Sequence, residues 1–317
     1  MTSPNPTPRP CGPPWLDAKL AAGGIVILDG AMGTELQARG VPMHGQAWSA
    51  GALLSHPEVV RATHADYIRA GAEVIIANTF ATGRHMLEPA GLGEEVAEVN
   101  RRAVALAREA REEAAGAAGA AAGPVAVAGS ICEWVHAEGP WRDPDKLSAS
   151  LREQAELLAE AGVDLIALEM CQHPLHSRLA AEAALATGLP VWAGVSCRRE
   201  GEGRRLVTFD APHGELEPVI APLAASGVAV MNVMHSPAPD SAAGLAALKR
   251  HWNGPLGVYP ESGYFIMPNW HFVDVIAPED LVEAARVWVA GGAQLLGGCC
   301  GLGPDHVRAL KQAFGRA

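Results

Sequence analysis

Positive charge is scarce in this chain: 24 lysines and arginines stand against 35 aspartates and glutamates, a formal net charge of −11. No basic run breaks that excess, which argues against a phosphate-tracking surface and a nucleic acid partner. Long apolar runs are missing as well. None approaches the ~20 residues a bilayer-spanning helix needs, and the N-terminus lacks the basic-then-apolar pattern of a secretory signal. No membrane role is expected, and the cytoplasm is the expected compartment. Cysteine is sparse, with six residues (Cys11, Cys132, Cys171, Cys197, Cys299, Cys300) scattered over 317. Disulfide frameworks crowd into small secreted domains, so these read as thiols. Aromatic residues are only 5% of the chain, whereas 49% of it is hydrophobic and 19% charged. That balance suits a globular protein with a large core and a small-molecule substrate.

Residues 1–14 are rich in proline and polar side chains and read as a disordered, extended tail, leaving a single domain over 15–317. From there one theme repeats: a short apolar run followed by a longer helical stretch, the pattern of a parallel sheet. The runs lie at 25–28, 73–77, 125–129, 164–168, 191–195, 228–233, 255–259 and 293–297. Between them, 56–71 has Pro57 near its start and Gly71 just beyond its end, as helix punctuation requires. The stretch 145–162 carries Leu147, Leu151, Ala155 and Leu158 at helical spacing. The Ala/Gly-rich stretch at 114–123 reads as a helix end or a surface loop, with no chemistry. No glycine-rich dinucleotide turn follows the first run, so eight comparable units favour an α/β fold that closes into a single (β/α)8 TIM barrel over an open doubly wound sheet.

Active sites in such a barrel sit at the C-terminal ends of the strands. Reactive side chains gather there. Asp29 follows the first run, Asn78 the second, Ser130 and Cys132 the third, Glu169 and Cys171 the fourth, and Ser196 and Cys197 the fifth. Asn232 and His235 follow the sixth, Tyr259 and Glu261 the seventh, and Cys299 and Cys300 the eighth. Loops are polar in any barrel, which accounts for part of this. The sharpest local signal is LLGGCCG at 295–301. Glycines on both sides let backbone approach a ligand, and two adjacent thiolates suit one zinc ion. Buried cysteines also pack as small hydrophobes, the alternative for this pair.

The segments LDGAMGTELQARG at 28–40, the stretch around Trp48, ANTF at 77–80, the strand end at Glu169, VYPESG at 258–263 and GGCCG at 297–301 together resemble the homocysteine S-methyltransferase family. They fall in the family's order and span nearly all of the chain after residue 24. The resemblance implies a barrel whose zinc is held by three cysteines, one after strand six and a pair after strand eight. It implies a methyltransferase in which homocysteine's sulfur takes the open zinc position and receives a methyl group from a small sulfonium or ammonium donor. S-methylmethionine, adenosylmethionine and a betaine all fit, and the length leaves no room for folate or cobalamin domains. A free thiol, with pKa near ~8.5, is mostly protonated at neutral pH, and zinc reverses that. By the same resemblance, Cys299 and Cys300 are the zinc pair. Asp29 and Gly30 lie beside the amino acid substrate, and Glu169 meets its ammonium. Asn78, Asn232 and Tyr259 complete the expected pocket, with Asp29 and Glu169 as catalytic residues. A rim carboxylate such as Glu169 also serves in salt bridges.

The chain departs from the family at strand six, where Val233 stands in place of the ligand cysteine after Asn232. His235 is the nearest substitute, in a Cys2His set, and its other reading is an ordinary loop histidine. Cys171, His173 and His271 are further candidates. Tyr264, Phe265, Trp270 and Phe272 form an aromatic cluster after strand seven that suits a cation–π cage, a lid or an oligomer contact. Two alternatives follow from Val233: a barrel acting without zinc on another thiol, selenol or methylated substrate, and a non-catalytic amino acid binding protein.

Overall fold

The computed structural model describes residues 9–118, 123–135, 139–201, 204–210, 212 and 214–315. Eight parallel strands form one sheet: β1 (Val26–Ile27), β2 (Val74–Ile76), β3 (Ala126–Cys132), β4 (Leu165–Cys171), β5 (Val191–Val195), β6 (Val230–Pro237), β7 (Leu256–Glu261) and β8 (Leu295–Leu296). Each pairs with its neighbours in chain order, β8 returns to β1, and the parallel bridge Leu28–Val74 closes β1 onto β2. The expected TIM barrel is therefore the observed one.

The outer ring holds α1 (Pro57–Ala70), α2 (Val96–Ala118), α3 (Pro144–Ala161), α4 (Pro174–Leu185), α5 (Glu217–Ser226), α6 (Ala238–Leu248), α7 (Pro278–Ala290) and α8 (Pro304–Phe314). Their ends follow local chemistry. The Asp143 side chain caps α3 by accepting from the backbone N–H of Asp145 and Lys146, and Gly162 ends it in the left-handed conformation. Leu147, Leu151 and Leu158 of α3 are buried, one apolar stripe facing the sheet. The helical part of the 114–123 stretch ends at Ala118, and residues 119–122 lie outside the described residues.

Strands covered on both faces read as continuous apolar runs, and alternation sorts their side chains. Val26, Leu28, Val74, Ile76, Ala126, Ala128, Leu165 and Ala167 fill the lumen. Ile27, Ile75, Val127, Ile166, Val191, Met231, Val233 and Val258 face the helices.

The tail expected over 1–14 needs correction where it is described. Arg9 donates to the Gly227 carbonyl, Cys11 is buried, and the Trp192 indole N–H donates to the Cys11 carbonyl at 2.7 Å. Helix Pro14–Ala21 then packs Leu16 and Leu20 beneath the lumen. Each fully buried leucine contributes about 1.5–3 kcal/mol, so this segment plugs the barrel floor. Residues 1–8 lie outside the described residues.

At the other end, two antiparallel hairpins border the mouth: Cys197–Glu200 with Arg205–Thr208 after β5, and Tyr264–Ile266 with Asn269–His271 after β7. No helix among the described residues is long and apolar enough to cross a membrane.

Candidate functional site

The C-terminal rim holds a small inner pocket of about 50 Å³ and an outer cleft of about 480 Å³. His235, Cys300, Trp48 and Phe80 line both and form the wall between them.

At that wall, ligand atoms of His235, Cys299 and Cys300 all lie within 4.8 Å of one another, and all three residues are buried. Cys299 Sγ is 3.1 Å from His235 Nδ1 and 3.7 Å from Cys300 Sγ. Burial, and then the neighbouring Cys300, push the Cys299 thiol well above its ordinary range. Without a cation it stays protonated, and a divalent metal reverses that. Two soft sulfurs and an imidazole with matching reach fit zinc.

Glycine makes room for this cluster. A Cβ on Gly297 would lie 2.7 Å from both Leu28 Cβ and Tyr259 Cδ2. Gly301, which ends the cysteine turn at φ +84°, has the Ser262 carbonyl where a Cβ would go.

Asp29, after β1, is 1% exposed. Its carboxylate accepts from the Ile76 backbone N–H at 2.7 Å and from the Tyr259 hydroxyl at 3.3 Å, and that hydroxyl also reaches the Gly30 carbonyl. Burial holds Asp29 well above the usual carboxylate range, and the Glu169 charge adds to it. Among the described residues, no lysine or arginine lines the inner pocket.

Glu169, expected to meet the substrate ammonium, lines the inner pocket and is engaged by His235, with Oε2 2.6 Å from Nε2. Asn78 is held on both sides by Ser49: its Oδ1 accepts from the hydroxyl at 2.9 Å and its Nδ2 donates to the carbonyl. Asn232 is buried with neither amide atom partnered, and the Ser130 hydroxyl on the inner pocket is likewise unpartnered among the described residues.

Three further ligand candidates are placed elsewhere. Cys171 faces the helix layer, His173 caps α4 and stacks on His176, and His271 stacks on Tyr264. The aromatic cluster divides: Tyr264, Phe265 and Trp270 line the outer cleft, whereas Phe272 is exposed and not part of its wall.

Sequence reasoning did not single out Phe80, Arg198, Phe209 and Asp210 of that cleft, nor Met170. Their spacing follows no period, because a strand end, a hairpin and separate loops deliver them. Trp48 meets Phe80 and Phe265 edge-on at 6.3 and 6.1 Å, and the Phe80 ring lies 5.2 Å from the His235 ring. Glu261 at the end of β7 is 8% exposed and faces the outer cleft. Burial pushes its carboxyl up to about 7.

A soft-ligand cluster thus stands at the wall between an inner pocket that Glu169 lines and an aromatic outer cleft. The family model for homocysteine S-methyltransferase matches residues 26–314. Homocysteine S-methyltransferase 4 of Zea mays is 32% identical, with 93% of this chain and 91% of the relative covered. Selenocysteine methyltransferase of Astragalus bisulcatus is 28% identical, with 91% and 92% covered. The solved homocysteine methyltransferase MmuM of Escherichia coli, in its metallated form, superposes with a TM-score of 0.77 at 30% identity, covering 94% of this chain and 99% of that one. This chain belongs to the homocysteine S-methyltransferase family, and it is a methyltransferase.

Proposed function

We propose that this enzyme transfers a methyl group from a small sulfonium or ammonium donor to the thiol of homocysteine, at a zinc site formed by Cys299, Cys300 and His235. The convergence of those three side chains on the wall between the two pockets carries the reading. The chemistry a bound zinc ion supplies is a lowered thiol pKa, which keeps the acceptor sulfur nucleophilic at neutral pH.

The protein's own groups do the rest. Asp29 takes the acceptor's ammonium: that cation offsets its burial, and Tyr259 fixes the carboxylate. Ser130 and Asn232 offer the polar atoms still free for the amino acid end. The acceptor sulfur, placed against Cys300 and His235, faces the outer cleft. There Trp48, Phe80, Phe265 and Trp270 present ring faces and edges to the donor's positive centre, and the Glu261 carboxylate balances its charge. The new sulfur–carbon bond forms as the donor's bond to the same methyl carbon breaks, and that electron pair leaves with the neutral donor product. Apolar walls keep water from competing.

The test is elemental analysis of protein purified without chelator, followed by methionine formation from homocysteine with S-methylmethionine, adenosylmethionine or a betaine as donor. About one zinc per chain and turnover with one of these donors support the reading. Metal-free protein, or zinc protein that forms no methionine with any of them, overturns it.

A further inference from the structure

Residue 233 is the position where the family pattern places a ligand cysteine, and its side chain points away from the site. Val233 sits in the layer between strands and helices. A Cβ on Gly244 of α6 would lie 3.0 and 3.1 Å from its two methyl groups. A cysteine here would face α6, not the lumen.

The ligand reaches the lumen by another route. Pairing between β6 and β7 shifts register between Met234 and Pro237, and His235 within that bulge takes φ +46°. A bulge re-aims the side chain that follows it. The imidazole of His235 thereby lies between two groups, with Nδ1 3.1 Å from Cys299 Sγ and Nε2 2.6 Å from Glu169 Oε2.

We propose that Glu169 is the positioning residue for His235: its carboxylate accepts the Nε2 proton, so that Nδ1 presents its lone pair to a metal shared with Cys299 and Cys300. This rests on the reading that these three residues hold the metal. A metal-bound histidine nearly always hands its other N–H to a carboxylate or carbonyl, which fixes tautomer and ring orientation. Glu169 is buried on β4 and pairs there with Cys132 of β3, so its place is set from a separate strand pair and not by the bulge it serves. The Phe80 ring against the imidazole limits the remaining freedom. In this chain the metal site is thus rebuilt around a carboxylate–imidazole pair, and the substrate's ammonium is left to Asp29.

The test measures zinc affinity with no substrate present, by competition with a chromophoric chelator. Wild type is compared with Glu169→Gln, Glu169→Asp, His235→Ala and the double variant Val233→Cys/His235→Ala. Glu169→Gln is expected to weaken zinc about 10–100-fold, with Glu169→Asp recovering part of the loss. It is also expected to shift the visible bands of the cobalt(II)-substituted protein. The double variant is expected to bind no more zinc than His235→Ala alone. Equal zinc affinity and an unchanged cobalt spectrum in Glu169→Gln overturn the positioning role while leaving the metal reading intact. Recovery of zinc by the added cysteine overturns the account of residue 233. Wild-type protein that binds no zinc overturns both. Chelator-treated variants are melted alongside wild type, so that lost binding is separated from lost folding. A carboxylate serving only the substrate's ammonium would change homocysteine affinity and leave these readouts unmoved.

Discussion

Replacing Glu261 by glutamine should stabilise the metal-free protein by an amount set by pH. Burial carries this carboxyl from 4.5 in the open chain to about 7 in the folded state. A carboxyl raised in the fold favours folding only while protonated, so its contribution is complete below about 4.5 and is lost as the pH climbs through 7. The gap of about 2.5 units, at about 1.4 kcal/mol per unit, sets a ceiling of about 3.5 kcal/mol on that loss. Glutamine keeps the shape without the charge. Against wild type it should therefore gain about 1–3 kcal/mol at pH 8 and under about 1 kcal/mol at pH 5. Urea unfolding of chelator-treated protein at both pH values reads this directly. Binding of a cation should move the opposite way. Trimethylsulfonium, taken as a probe of the outer cleft, should bind wild type more tightly as the pH rises through 7 and bind Glu261→Gln with no such dependence. A variant no more stable than wild type at pH 8 would refute the argument, because the cleft would then be hydrating the carboxylate well enough to remove the burial cost.

Three other expectations are independent of that one. His64 on α1 is wholly buried with neither ring nitrogen partnered among the described residues, and burial lowers it to about 3. Its depressed basicity costs stability as the pH falls below about 6.5, at about 1.4 kcal/mol per unit. His64→Leu should therefore flatten acid unfolding between pH 6 and 4 by about one proton in linkage analysis, and an unchanged slope would refute this. Gly301→Ala should destabilise by more than about 1 kcal/mol, since it joins a left-handed backbone to a clash with the Ser262 carbonyl; thermal melting checks it. Trp48→Ala should raise the donor's KM about three- to thirtyfold, the worth of one desolvated cation–π contact, while chelator competition shows unchanged zinc affinity.

Much of the barrel was legible because its strands are buried on both faces and so appear as apolar runs. The fifth run, 191–195, coincides with β5. At β4 the apolar run stops at Leu168, yet the strand continues to Cys171, because Glu169 still pairs with β3 and Cys171 with β5. Polar residues end a hydrophobicity pattern without ending a ladder, and in a barrel the functional residues lie on those extensions. The site shows the same division. The cysteine pair was visible because glycines bracket it, and Asp29 because it directly follows the first apolar run. Arg198 and Asp210 come from a hairpin and the loop that follows it, and no local rule marks where those point.

The sixth strand shows how a residue count can mislead about a site. Reading along the chain, Val233 follows Asn232 and occupies the ligand position, so the site looks as though it has lost a ligand. Alternation places Asn232 and Val233 on opposite faces, and a strand that stayed regular would carry His235 outward with Val233. The bulge breaks that parity. It is a built feature: the Ser196 and Ser236 hydroxyls both donate to the Met234 carbonyl at 2.9 Å, and the Ser236 hydroxyl accepts from the Cys197 backbone N–H. Those bonds satisfy the backbone where the ladder lapses, and a buried carbonyl left unpaired there would cost about 1–3 kcal/mol. Removing the Ser236 hydroxyl should accordingly loosen the bulge and the imidazole it aims. Ser236→Ala is expected to weaken zinc in chelator competition although it lies outside the ligand set, and a variant with wild-type zinc affinity would show that Glu169 and Phe80 hold His235 without help from the bulge.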